Sequence, residues 1–312
     1  RVMSNPRLAL SLILGCFGPA WAQSPELLQA VRVHHTGTVQ QARSELQACL
    51  EANCAEADRL SLLLGFLLLS ESEASAAVAQ LTSRPPPKGL ESFHGWYLGE
   101  AYAWSRDVDS ALKTLGKARR GAPTWLAARI DARMGELYLG KGDAKKALPL
   151  LEAAASADPS AELVYQRGLA RWMKGDGKRG QADLRTVAVR YPTHPYGMRA
   201  EQLLRPTYTF EERLTRATVL GGSRAVVELD GLAAPKGQEG RLELARAAAH
   251  FQAGDDAKGL AELDAAQARG AGVASEALMA RARRFMKTHD NAAARETMLK
   301  LDEQYPDQPA AE

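Results

Sequence analysis

Residues 99–123, GEAYAWSRDVDSALKTLGKARRGAP, and residues 135–159, GELYLGKGDAKKALPLLEAAASADP, carry the same ladder of side chains. From Gly99, Tyr102 follows at three, Ala111 at twelve, Leu115 at sixteen, Ala118 at nineteen and Pro123 at twenty-four; from Gly135 the same steps reach Tyr138, Ala147, Leu151, Ala154 and Pro159. Such a ladder describes two antiparallel helices. A small residue at the first and third landmarks lets the helix axes approach, the aromatic and the leucine fill the groove between them, and proline stops the second helix. Lys141-Gly142-Asp143 stands between the two helices, as do Lys174-Gly175-Asp176 and Ala253-Gly254-Asp255 further on. In each, glycine can take the left-handed conformation that ends a helix, and the aspartate can cap the next one.

Working outward, a third copy starts at Gly168 and keeps Leu184, Val187 and Pro192, with Arg171 for the aromatic and Gly180 for the alanine, which predicts looser packing there. Ala282, Phe285, Ala294, Met298, Leu301 and Pro306 restore the ladder near the end. Weaker copies are read at Ala30, Ala42 and Leu46, at Gly65, Ala77 and Leu81, and at Ala245, Ala257 and Ala261. The chain resembles the tetratricopeptide (TPR) repeat family at these positions. The resemblance implies an all-α fold, an α-solenoid of antiparallel helix hairpins forming a superhelix, with a protein or peptide as partner.

Arg84-Pro85-Pro86-Pro87-Lys88-Gly89 cannot continue a helix and reads as a stiff linker, and the chain breaks again at Arg205-Pro206 before a helix beginning near Phe210. The expected organisation is a signal peptide over 1–22, helical hairpins over 23–83, the linker over 84–89, clear repeats over 90–205 and a second array over 206–312. No run alternates at period two for long enough to suggest a sheet.

Lys and Arg number 40 against 37 Asp and Glu in 312 residues. That near balance lacks the basic excess with which nucleic-acid binders displace counterions, so no nucleic-acid partner is expected. Met3 to Ala22 reads as a secretory signal, with Arg7, the apolar run Leu8 to Leu14, and Ala20-Trp21-Ala22 before Gln23. The expectation is an exported, periplasmic protein. Ile13-Leu14-Gly15-Cys16 offers a lipoprotein anchor through Cys16 as the rival reading, disfavoured by the bulky Leu14. Leu62 to Leu69 is too short to span a bilayer, which takes ~20 apolar residues, and reads as a buried helix; no transmembrane helix is expected in the mature chain. Cys49 and Cys54, five residues apart around a helix end, can either close a disulfide or stay as two buried thiols.

No catalytic, cofactor or metal site is read from the sequence. The six histidines have no partners at ligand spacing, and there is neither a nucleophile elbow nor a phosphate loop. The candidate binding surface is the inner face of the first helices, at −6, −3, +1 and +4 from each glycine landmark. It selects Trp96, Glu100, Arg129, Glu136, Tyr165 and Trp172, with Phe93, Ala132 and Leu169 among their neighbours. Glu100 and Glu136 are expected to repel a carboxylate ligand.

Beyond the generic repeat, Trp96-Tyr97-Leu98-Gly99-Glu100-Ala101, Arg190-Tyr191-Pro192, Phe210-Glu211-Glu212-Arg213-Leu214 with Arg216-Ala217, and Tyr305-Pro306 resemble the helical N-terminal region of soluble lytic murein transglycosylases. That resemblance implies a non-catalytic scaffold whose partner is peptidoglycan, reached through a catalytic domain beyond Glu312. Glu71-Ser72 and Glu91-Ser92 are not followed by the family's Gly-Leu-Met-Gln run, so no catalytic residue carries over. The alternative is a free-standing periplasmic TPR adaptor that mediates protein–protein interactions.

Overall fold

A computed structural model describes residues 39–54 and 56–306 of the chain. Among these residues lie sixteen α-helices and no strand. They fall into two compact units that divide between Pro159 and Ser160. The proposed signal segment with Cys16, the landmark Ala30 and the terminal Ala310-Ala311-Glu312 lie outside the described residues.

In the first unit α1 (Val39–Glu51) packs on α2 (Ala57–Ser70), which pairs with α3 (Ala74–Thr82). The hairpins α4 (Glu91–Trp104) with α5 (Val108–Arg119) and α6 (Thr124–Gly140) with α7 (Ala144–Ala157) follow. The second unit opens with the hairpin α8 (Ala161–Met173) and α9 (Gly177–Arg190), and α10 (Pro195–Leu204) lies against α9. Next come α11 (Phe210–Leu220) and the short α12 (Gly222–Leu229), then the hairpins α13 (Glu239–Ala253) with α14 (Asp256–Gln267) and α15 (Ala271–Lys287) with α16 (Asn291–Gln304).

The ladder works as the sequence implies. A Cβ on Gly99 would come within 2.6 Å of Leu115, and one on Gly135 within 2.6 Å of Leu151, so each glycine is the gap into which the leucine sixteen residues later fits. Gly65 receives Leu81 in the same way. In the turns, Gly142, Gly175 and Gly254 have φ of 74°, 99° and 83°. Asp143, Asp176 and Asp255 then accept from the backbone N–H groups of Lys146, Arg179 and Lys258, capping α7, α9 and α14.

Two expectations need correction. The copy placed on Ala245, Ala257 and Ala261 is out of register by two: Ala257 and Ala261 are exposed, whereas Ala247, Leu263 and Ala266 are buried together with Ala277. α13 is so rich in alanine that small residues alone do not choose the register. The large partners choose it, Leu263 by entering the core and Phe251 by lying over Gly259. Nor is the α8/α9 hairpin looser for having Gly180. A Cβ there would meet the Gly168 carbonyl oxygen at 2.8 Å and the Trp172 nitrogen at 2.9 Å, so the backbones themselves are in contact.

The Pro85 to Pro87 segment turns within the first unit. One apolar cluster runs from Ala42 and Leu46 through Leu60 to Leu69 and on to Leu90, Tyr97 and Ala101, so a shared core lies on both sides of it. The run from Leu62 to Leu69 is buried helix, as expected. Cys49 and Cys54 are joined by a disulfide with Cα atoms 5.5 Å apart. It ties the end of α1 to the approach to α2, and closing so short a loop contributes roughly 2 kcal/mol on the chain-entropy account.

The break before Phe210 is built from polar groups. Thr209 accepts from the Glu212 N–H, the Glu212 carboxylate accepts from the Thr209 N–H, and Arg185 of α9 grips the same carboxylate at 2.5 and 2.6 Å. The Arg185 fork, together with the Thr209 N–H, holds Glu212 down to about 2. A depressed carboxylate contributes stability above its unfolded pKa, which is lost as pH falls through the folded value. At 1.36 kcal/mol per unit the ceiling is about 3 kcal/mol, and partial exposure reduces it to roughly 1–2 kcal/mol. Glu212→Gln is therefore expected to lose that amount at pH 7 in urea unfolding, with wild type and variant converging between pH 4.5 and about 2. A difference that stays constant over that window would contradict it.

Candidate partner-binding site

In the first unit α4 and α6 bring their side chains together rung by rung. At the N-terminal end the Phe93 and Trp125 rings lie 5.8 Å apart. One turn along, the Arg129 guanidinium sits 5.9 Å from the Trp125 ring centroid and lies close enough to Tyr97 to act on its hydroxyl. That hydroxyl is buried, which pushes it up to about 12, and Arg129 offsets part of the effect. In the next rung Arg133 donates to Glu100 at 2.9 Å and to Glu136 at 2.5 Å. Trp104, the last residue of α4, also hydrogen-bonds Glu100.

This arrangement changes the reading of several candidate residues. Glu100 is only 5% exposed. Burial pushes its carboxyl up, and Arg133 beside it offsets part of that cost. It is a buried ion-pair partner and not a free charge on the surface, while Glu136 shares the same guanidinium. The expected repulsion of carboxylate ligands therefore does not follow, because the sequence offsets place both glutamates on one face without revealing the arginine between them. Trp96 is a packing residue, wedged partly buried between two apolar clusters of the first unit. Arg129 is exposed and has no carboxylate in ion-pair reach among the described residues.

Tyr165 and Trp172 belong to the second unit. Tyr165 packs against Tyr196 with ring centroids 5.2 Å apart, and the Tyr196 hydroxyl donates to Glu162 at 2.8 Å. Trp172 is 37% exposed at the end of α8, followed by the exposed Met173. The six candidates thus divide into a first-unit set, Trp96, Glu100, Arg129 and Glu136, and a second-unit pair. Trp125, 40% exposed like Trp104 at the end of α4, was missed by the offset rule because it lies one turn before the first selected position. Its signal in the sequence is the Trp125–Arg129 spacing of four, which places the two side chains next to each other on one helix face.

His94 is buried, with its Nε2 2.8 Å from the Leu81 carbonyl, and burial pushes its pKa down. Among the described residues no group of three or more His, Cys, Asp or Glu could hold a metal ion, and no helix is long and apolar enough to cross a membrane.

A tetratricopeptide repeat protein from Parabacteroides merdae is similar in structure over 88% of this chain and 97% of its own, with a TM-score of 0.50 and 12% identity. The fold is that of a TPR protein. Also similar, with TM-scores below 0.5, are MamA, over 56% of this chain and 96% of its own at a TM-score of 0.46 and 17% identity, and the C-terminal part of a TPR repeat-containing protein from Cytophaga hutchinsonii, over 90% and 96% at 0.44 and 14%. No family model and no curated protein matches the sequence. At such identities the likeness speaks for TPR architecture alone and lends nothing to the murein transglycosylase resemblance. In TPR terms, α4 and α6 are the first helices of successive hairpins, and the rungs just described lie between them.

Proposed function

We propose that this chain is a TPR scaffold that holds a partner protein against the first helices of its hairpins. The observation that carries this is the exposed Trp125 with the Arg129 guanidinium 5.9 Å from its ring centre, on the face shared by α4 and α6. Trp and Arg are the side chains that dominate interface energetics, and this surface offers both side by side. We further propose export to an oxidising compartment. The Met3 to Ala22 signal pattern and the Cys49–Cys54 bridge support it, because disulfides persist there and not in a reducing cytosol.

The alternative, a helical scaffold for a peptidoglycan-cleaving enzyme, rests on the sequence stretches around Trp96, Tyr191 and Phe210. The full chain used as bait on an envelope fraction separates the two readings. The expected result is a protein that binds again when both are purified, with at least about tenfold weaker affinity for Trp125→Ala. Retention on isolated glycan strands, with no protein captured, would transfer the reading to the wall enzyme.

A further inference from the structure

We infer that the Cys49–Cys54 bridge is a redox-sensitive clasp: closed, it holds α1 against α2, and a dithiol that reduces it lets α1 come away. This concerns α1 and α2 alone and stands apart from the partner-binding reading.

The repeat ladder shows how this connection differs from the others. Leu115, Leu151, Leu184 and Met298 are each followed eight residues later by a proline, Pro123, Pro159, Pro192 and Pro306, just after the end of the second helix. Counted in the same way from Leu46, that position falls on Cys54, and the preceding small landmark, Ala118 or Ala154 in the clear repeats, falls on Cys49. Residues 51–56, Glu-Ala-Asn-Cys-Ala-Glu, contain neither proline nor glycine. The chain nevertheless turns here, with Asn53 and Glu56 at φ of 48° and 64°, a left-handed conformation that is costly for a residue other than glycine. The bridge opposes continuation of α1. Residues five apart on an α-helix have Cα atoms about 8.7 Å from each other, beyond the ~7 Å that a disulfide can span, whereas those of Cys49 and Cys54 are 5.5 Å apart. A reversible bond therefore stands where the clear repeats have a permanent stop.

The other ties of α1 among the described residues are few. Ala42 and Leu46 are its fully buried side chains, and Cys49 and Leu50 pack partly buried on the same cluster. Arg43 pairs with Glu71 and Glu73, and Arg84 donates to the Asn53 side chain at 3.1 Å, all at the surface, where such contacts contribute little. α2 is different in kind, because Leu60 to Leu69 are buried throughout and α3 and α4 also pack on it. Release of α1 would therefore uncover leucine-rich surface while α2 stays in place. A reductant can reach the bridge: both cysteines are partly exposed, and Glu51, Ala52 and Asn53 between them are exposed.

The chemistry is thiol–disulfide exchange. One thiolate of the dithiol attacks a sulfur of the bridge, the S–S bond breaks, and the displaced cysteine thiolate takes up a proton. The second thiol of the reagent then attacks the mixed disulfide and releases the other cysteine as a thiol. Two electrons and two protons pass to the protein, and the dithiol leaves as a disulfide.

Hydrogen–deuterium exchange of the full chain, read by mass spectrometry before and after dithiothreitol, tests the clasp. Iodoacetamide labelling of a parallel sample counts the thiols released. The expected result is two labelled cysteines without denaturant, exchange in α1 at least about tenfold faster, no change in α6 and α7, and recovery on reoxidation. The double variant Cys49→Ser/Cys54→Ser should show the fast α1 pattern without reductant. Reduction of the natural chain decides the matter even if that variant fails to fold. Unchanged exchange in α1 after both thiols are labelled overturns the inference, as does a bridge that resists dithiothreitol until urea unfolds the chain. Equal acceleration in α6 and α7 overturns it too, since the bridge would then staple the whole first unit.

Discussion

Gly197→Ala is expected to destabilise the second unit by about 2–3 kcal/mol, the cost of forcing atoms into a filled site. Gly197 lies in the first turn of α10, where a Cβ would overlap the carbonyl oxygen and carbon of Tyr191, the residue that ends α9. That carbonyl cannot swing aside. The Tyr191 N–H is bonded to the Val187 oxygen at 3.0 Å, and the Tyr191 oxygen accepts from the His194 N–H at 3.0 Å. Helix propensity alone predicts the opposite sign, since alanine in place of a helical glycine normally gains about 0.5–1 kcal/mol. Gly140→Ala supplies the comparison, because a Cβ there meets nothing within 4 Å. Urea unfolding of the two variants should therefore move in opposite directions. Gly197→Ala at or above wild-type stability would show that α10 does not pack on α9 as closely as described.

Arg216→Met should cost more, about 3–5 kcal/mol, the range for removing one partner of a buried ion pair. Arg216 is only 5% exposed and joins three other helices and the Tyr208 segment to its own helix α11. It donates to the Ala188 carbonyl of α9 at 2.8 Å, approaches Glu201 of α10 at 3.0 Å and Glu228 of α12 at 3.1 Å, and donates to the Tyr208 hydroxyl at 2.9 Å while lying 4.2 Å from that ring's centre. Methionine keeps most of the volume and none of the donors, leaving the partly buried Glu228 with only the more distant Arg213 at 3.5 Å. Because part of the penalty is the weaker pairing of the Glu228 carboxylate, Glu228→Gln in the Arg216→Met background should recover part of the loss. Additive losses in that double-mutant cycle would mean that the two groups do not interact.

Arg216 bears on the resemblance to murein transglycosylases. Each charged residue of the Phe210 to Ala217 stretch has a structural role in this chain: Glu211 pairs with Arg241 at 2.7 Å, Glu212 with Arg185, Arg213 with Glu228, and Arg216 holds the junction. A pattern that holds helices together can recur wherever similar helices meet. It therefore carries less functional information than its length suggests.

The hairpins themselves were legible in the sequence. Gly99 with Leu115 and Gly135 with Leu151 contact at the offsets read from the ladder, and Gly142-Asp143 and its counterparts turn where the pattern placed them. These features depend on residues within about thirty positions of one another, and local spacing on two helices is enough to set them. The Ala-rich α13 defeated the same method, since several alanines fit the small-residue rule equally well and only the bulk of Leu263 and Phe251 distinguishes them.

What the sequence by itself determined is the hairpin unit, its turns and its repetition, because helical period and close approach are properties of neighbouring residues. Tertiary structure alone decided which charges remain unanswered. Glu100 and Glu136 looked like an acidic face until Arg133, 33 residues beyond Glu100, was seen between them, and Arg129 stood out only because no carboxylate reached it. Pairing of charges between hairpins depends on distances in space and on burial, and no spacing within one repeat specifies either.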